Sequence, residues 1–136
     1  MLSIDVKVGR LLEIRFVAPI TLEELEAGMT RLAQLFRVRR DKLVGVGDFS
    51  RATVFAPDVA NKLLEVLKFD NPRIERSGIL VSASAIFSLQ LERLLAHAEN
   101  INRRTFRDPF ELKTFLGGLL THGEHGRLAQ FLSEKP

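Results

Sequence analysis

The order of structural elements in this chain is clearest in residues 44–60, Val44-Gly-Val-Gly-Asp48-Phe-Ser50-Arg-Ala-Thr-Val-Phe-Ala-Pro57-Asp58-Val-Ala. The apolar run predicts a buried central strand over residues 43–49, and its two glycines indicate that helices approach the strand closely. Pro57 suits the first position of a helix, because the N–H that proline lacks would have no partner there. Side chains at the end of such a strand face solvent at the rim of an α/β sheet, where binding sites are common. We therefore expect the candidate site between Asp48 and Asp58.

Towards the N-terminus, apolar and polar residues alternate on both sides of Gly9. This period of two predicts a β-hairpin over residues 3–17, with apolar side chains on one face and Glu13 and Arg15 on the other. Thr21 and Glu24 then form a capping box, which predicts the start of a helix over residues 22–37.

Towards the C-terminus, strand and helix patterns continue to alternate. Pro57 opens a helix to about residue 68, a strand follows over residues 74–83, and Ser82 or Ser84 caps a helix over residues 85–98. That last helix is apolar over a wide arc, which indicates burial on two sides, by the sheet and by the terminal helix or a second subunit. Residues 102–106 form a short edge strand, Asp108 caps another helix, and Thr121 starts a final short one.

The resulting order is β-β-α-β-α-β-α-β-α with a terminal helix. It predicts an α/β fold with a mostly parallel sheet, an N-terminal β-hairpin and four to five helices. A length of 136 residues fits a single domain over 1–136.

Composition narrows the classes of protein. The chain is 46% hydrophobic and 27% charged, as in ordinary globular proteins, and it has no cysteine, which excludes disulfides and thiol chemistry. No apolar run approaches the ~20 residues that a membrane span requires, and the N-terminus does not resemble a signal peptide. We therefore expect a cytoplasmic protein without a membrane span.

The formal net charge of +3 is mildly basic. One cluster could bind a polyanion: Arg37, Arg39, Arg40 and Lys42. Nucleic acid is not the expected partner, because Trp and Tyr are absent and most of the ten Phe residues fall on core stripes.

The element order resembles that of the STAS and SpoIIAA-like superfamily, the anti-sigma-factor antagonists and their relatives. Family members carry a pattern close to Asp-Leu-Ser-Gly-Val-x-Phe between the third strand and the second helix. The segment Asp48-Phe-Ser50-Arg-Ala-Thr-Val-Phe55 is similar to it, and residues 103–116 resemble the closing strand and helix of the family. The resemblance implies a regulatory module that binds another protein.

One departure from the family pattern affects regulation. In antagonist proteins a serine at the start of the second helix is phosphorylated, whereas Asp58 stands at the corresponding position here. Aspartate puts a fixed negative charge at a helix N-terminus, which partly imitates phosphoserine and also simply complements the helix dipole. The resemblance thus implies a binding module without the phosphorylation switch.

Catalytic and metal-binding patterns are weak. His122 and His125 would need a third ligand to hold a metal, and we expect none. Gly45-Val-Gly47 is too short for a dinucleotide fingerprint, and no Gly-x-Ser-x-Gly elbow marks a nucleophile. We expect no enzymatic activity and no cofactor.

The leading hypothesis is therefore a non-enzymatic regulatory protein-interaction module, with a homodimer as a further option. Its expected partner-binding residues are Asp48, Ser50, Thr53, Asp58, Asn61 and Lys62. The alternative is a carrier of a small apolar ligand or lipid, bound between sheet and helices around Phe87, Leu91 and Leu95.

Overall fold

The computed structural model describes residues 1–134, so the last two residues of the expected 1–136 domain lie outside the described residues. The strands are β1 (Leu2–Asp5), β2 (Leu11–Val17), β3 (Leu43–Arg51), β4 (Ile74–Val81) and β5 (Arg103–Phe106). The helices are α1 (Leu22–Arg37), α2 (Pro57–Asp70), α3 (Ala85–Ala98), α4 (Pro109–Gly117) and α5 (His122–Ser133). A short 3₁₀ turn, Asn71–Arg73, links α2 to β4.

The five strands form one sheet in the order β1-β2-β3-β4-β5. The β1–β2 pair is antiparallel and the other three pairs are parallel. This confirms the predicted α/β class, the N-terminal hairpin and the mostly parallel sheet. No helix in residues 1–134 has the length and apolar character needed to cross a bilayer.

Helices cover both faces of the sheet, and the period of two along each strand decides which residues meet which helices. On β3, Phe49 packs with the helices α1, α2 and α3. Its neighbours Val44 and Val46 point the other way and pack with Leu112 of α4 and Leu128 of α5. The core therefore has two layers, one on each side of the sheet.

Local signals start the helices where they were predicted. Thr21 and Glu24 form the expected capping box at α1, and Thr121 and Glu124 form a second one at α5. Ser84, one of the two candidate caps, accepts a hydrogen bond from Phe87 N–H at the start of α3.

Two expectations about the strands need correction. Gly45 and Gly47 do not mark close helix approaches, because a Cβ at either would meet side chains of the sheet itself, such as Ser77 and Phe49. The close approach occurs at Gly78, where a Cβ would lie 2.9 Å from Leu112 Cγ of α4. The second correction concerns the polar face of β2, where Glu13 and Arg15 are buried at 4% and 8% exposure because α5 covers them.

Candidate functional site

Asp48, at the carboxyl end of β3, does not face solvent as expected, since only 6% of it is exposed. Its Oδ1 accepts hydrogen bonds from the backbone N–H of Ser50 at 3.0 Å and from the Ser50 hydroxyl at 2.6 Å. Its Oδ2 accepts one from Arg15 Nε at 3.2 Å. The carboxylate therefore ties the end of β3 to Arg15 of β2, and it lies on the side of the sheet that α5 covers and not at the rim.

Asp48 belongs to a buried network of charges between β2 and α5. Arg127 binds both carboxylate oxygens of Glu13, at 2.7 and 2.6 Å, and donates to Glu134 at 2.9 Å. Arg15 donates to the Phe131 carbonyl at 2.7 Å, and its guanidinium lies 4.2 Å from the centre of the Phe131 ring. Hydrogen bonds from Arg127 lower the pKa of Glu134 below its ordinary value, and the bond to Glu13 raises the pKa of Arg127. The network anchors α5 to the sheet.

The other predicted partner-binding residues lie in the loop after β3 or on α2. Thr53 and Asp58 are exposed, and Asp58 Oδ1 accepts a hydrogen bond from the Val59 N–H at 2.8 Å. Asp58, Asn61 and Lys62 are three and four residues apart, so they share one face of α2. Lys62 Nζ pairs with Glu65 at 3.1 Å. The six residues thus divide: Asp48 and Ser50 belong to the structural network, Lys62 is partly buried, and Thr53, Asp58 and Asn61 are exposed.

A glutamine that sequence reasoning missed holds the loop between β3 and α2. The side-chain amide of Gln90 on α3 accepts from the Phe55 N–H at 2.8 Å and donates to the Phe55 carbonyl at 2.9 Å. The Phe55 ring is buried and packs edge-on against Phe16 and Phe87. The loop therefore has a defined conformation, which no local sequence motif announces because its partner is 35 residues away.

An open groove of about 470 Å³ runs between α2 and α3 beside this loop. It is lined by Val54, Asn61, Leu64, Ile86, Leu89, Gln90, Arg93, Leu94 and His97. Val54 is 51% exposed, Ile86 74% and Leu89 50%. Within residues 1–134 the terminal helix therefore does not cover the outer side of α3 as expected, and burial by a second subunit stays a prediction. A signal was available in the sequence, because Gln90, Arg93 and His97 recur at the helical spacing and mark this side of α3 as the outer one.

The groove has one charged end. Arg93 and His97 are exposed one turn apart on α3, and His97 Nδ1 lies 2.7 Å from the Arg93 carbonyl, so it donates to that oxygen. No residue lining the groove carries a carboxylate. Within residues 1–134, Arg93 has no acidic partner in the structure. The apolar half of the groove therefore leads into a polar half that carries the positive charge of Arg93.

The proposed polyanion cluster is only partly assembled. Arg39 and Arg40 line a depression of about 620 Å³ together with Arg10, but Asp41 and Glu124 line it too. Arg39 donates to the Gly9 carbonyl at 3.0 Å. Arg37 and Lys42 are exposed and are not part of this lining.

The carboxylate of Glu124 already places a negative charge in that depression. It accepts hydrogen bonds from the backbone N–H groups of Arg10, at 2.7 Å, and Thr121, at 2.8 Å. Burial alone would raise the pKa of Glu124, but these hydrogen bonds lower it below its ordinary value. The mixed charge makes the depression a poor attractor for a second anion.

The cavities buried between the sheet and the helices α1 and α2 are small. Two enclosed cavities on the α1–α3 side measure about 30 Å³ each, against the roughly 300 Å³ or more of typical ligand pockets. A ligand held around Phe87 and Leu91 would need the core to open, because both side chains are at most 1% exposed. Among the described residues, no three His, Asp or Glu side chains lie close enough to share a metal ion.

No protein-family model matches the chain, and no curated protein matches it.

Proposed function

We propose that this protein is a non-enzymatic regulatory module that binds another protein through the α2–α3 groove and the adjoining loop over residues 52–58. The resemblance of residues 48–55 to the anti-sigma-factor antagonists implies the same class of activity. The observation that carries the proposal is the groove itself, where Val54, Ile86 and Leu89 are each at least half exposed.

The grouping of these side chains matters more than their exposure. Single exposed apolar residues are normal on protein surfaces, whereas contiguous ones mark interaction sites. Val54 comes from the loop, and Ile86 and Leu89 come from the first two turns of α3. Their convergence on one groove provides an apolar centre, and Asn61, Gln90 and Arg93 provide a polar rim, which is the usual anatomy of an interface.

The surface is also preorganised. The two hydrogen bonds between Gln90 and Phe55 hold the loop before any partner arrives, so binding costs little ordering entropy there. Asp58 places a fixed negative charge at the exposed start of α2, where the helix dipole favours it. In this proposal the charge makes the module constitutively competent to bind.

Affinity purification of the tagged protein from its own host tests the proposal. The comparison uses the unmodified chain, Asp58→Arg, Leu89→Asp and a matched control, Ile101→Asp, which alters a 92% exposed apolar residue that does not line the groove. We expect one stoichiometric protein partner, retained by the control and reduced about tenfold or more by Leu89→Asp, with a weaker loss for Asp58→Arg. Thermal melts followed by circular dichroism verify that each variant is folded. Equal capture by all four proteins would contradict the proposal.

The carrier of a small apolar ligand is the second candidate, and the groove volume of about 470 Å³ is what favours it. A ligand there would cover the same Ile86 and Leu89 side chains. Native mass spectrometry of the mildly purified protein separates the two functions. A bound small molecule that Leu89→Asp removes would support the carrier, and bare protein would count against it.

A further inference from the structure

We infer that the α2–α3 groove receives an amphipathic helix of the partner, whose apolar side chains cover Val54, Ile86 and Leu89 and whose carboxylates face Arg93 and His97. This inference rests on the proposed function and specifies the chemistry of the partner.

The shape of the groove favours a helix over an extended strand. The free edges of the sheet are β1 and β5, whereas the groove lies between two helices, α2 and α3. The backbone groups of these helices are already hydrogen-bonded, so an added strand would find no ladder of partners. A helix satisfies its own backbone and needs only side-chain contacts.

The length of the groove fits a short helix. Ile86 and His97, both in the lining, lie eleven positions apart on α3, which corresponds to about 16 Å, or three helical turns, at the usual rise per residue. Three turns present apolar side chains at steps of three and four residues, enough to contact Ile86, Leu89 and the loop residue Val54 together.

The charge of the groove indicates which polar side chains the partner helix should carry. Along the exposed row of α3, Ile86 and Leu89 come first, and Arg93 and His97 follow. Arg93 lacks an acidic partner within residues 1–134, so a carboxylate placed there gains an ion pair without breaking another one. A lysine or arginine of the partner in the same place would be repelled. The partner helix should therefore be apolar over the loop end of the groove and acidic over the Arg93 end.

The test uses a displayed library of helical peptides of about 16 residues, each with a fixed leucine stripe and with Glu, Lys or Ala varied beside the stripe. Binding of the selected peptides is then measured by fluorescence anisotropy. We expect selection for Glu at one end of the stripe, a loss of affinity of about tenfold or more with Leu89→Asp, and no change with Ile101→Asp.

Charge reversal provides the decisive measurement. Arg93→Glu should lower the affinity for the acidic peptides about fivefold and raise the affinity for the same peptides with Glu replaced by Lys by a similar factor. Failure to enrich any peptide, selection for Lys, or an equal response of both peptides to Arg93→Glu would overturn the inference.

Two further outcomes separate the inference from the proposed function. Capture of a host partner that depends on Leu89, without any peptide binding, would support the proposed function and contradict the inference that the partner binds as a helix. Light scattering that shows a dimer, converted to a monomer by Leu89→Asp, would assign the groove to a second copy of this chain and would also overturn it.

Discussion

The two faces of the sheet are covered by helices in different ways. Under α1, α2 and α3 most contacts are apolar, with the Phe16 ring against those of Phe49 and Phe55, beside one buried ion pair between Asp70 and Arg103. Under α5, part of the contact area of β2 is instead made by Glu13 and Arg15, which reach Arg127 and Asp48. The helices also differ on their outer side, because α3 exposes Ile86 and Leu89 where an ordinary surface helix would be polar.

This difference separates two kinds of stability. Apolar contacts are non-directional, so each side chain contributes largely through its own buried area. Buried ions depend on their partners, because a charge left alone in the interior is costly. Single substitutions on the apolar face should therefore lower the free energy of unfolding independently of one another. On the ionic face, the effect of one substitution should depend on whether its partner is replaced as well.

The largest expected effect lies on the apolar face. Phe87 is 1% exposed and contacts the Phe55 ring, so Phe87→Ala removes buried area and leaves a cavity. We expect a loss of about 4 kcal/mol in the free energy of unfolding, measured by urea denaturation. Leu89→Ala, on the same helix but half exposed, is the matched control and should cost well under about 1 kcal/mol. Similar losses for both variants would contradict the assignment of Phe87 to the core.

A slightly smaller effect is expected on the ionic face. Glu13→Leu leaves Arg127 buried without its bidentate partner and should lower the free energy of unfolding by about 3 kcal/mol. Adding Arg127→Met should restore most of that loss, because two apolar side chains then fill the space of the ion pair. The same denaturation assay checks this. If the double variant loses as much free energy of unfolding as the two single variants together, the ionic face does not differ from the apolar face.

The smallest effect is a difference in pH dependence between the two faces. The pKa of Glu134, the residue that caps the C-terminus of α5, is lowered by hydrogen bonds from Arg127. Its contribution to stability is therefore present above the unfolded-state pKa and is lost as the pH falls through the folded-state pKa. Burial raises the pKa of Asp70, on the other face, despite its ion pair with Arg103 at 2.7 Å. Its contribution is therefore present at low pH and is lost as the pH rises through the folded-state pKa.

Urea midpoints between about pH 3 and pH 7 test these opposite signs. The stability difference between the unmodified chain and Glu134→Gln should shrink as the pH falls. The pH-dependent part of the stability difference between the unmodified chain and Asp70→Asn should shrink as the pH rises. Slopes of the same sign would contradict the assignment of the two carboxyl groups to different environments.

The elements that could be predicted are those with local signals. The capping boxes of Thr21 with Glu24 and of Thr121 with Glu124 act within four residues, so they are legible in the sequence. The apolar run that became β3 was recognisable too, although the strand continues to Arg51. Of the candidate site, Thr53, Asp58 and Asn61 were placed correctly on the exposed surface. Whether they bind a partner stays a prediction.

The parts that could not be predicted depend on distant partners. Glu13 and Arg15 alternate with apolar residues as solvent-facing side chains do. They are interior only because α5 packs on them and brings Arg127, 114 residues after Glu13, into contact with Glu13. The groove is a partly similar case. Gln90, Arg93 and His97 mark the outer side of α3 in the sequence, but only the packing of α2, α3 and the loop shows that Ile86 and Leu89 meet Val54 there.

By itself, the sequence determined the α/β class, the order of the elements and the helix starts, because hydrophobic period and capping act over a few residues. The tertiary structure alone decided that the face of β2 carrying Glu13 is interior, that Asp48 is a structural ion and that Val54, Ile86 and Leu89 meet at one surface. The physical reason is that burial and ion pairing depend on which distant segments pack together, and no local pattern encodes that choice.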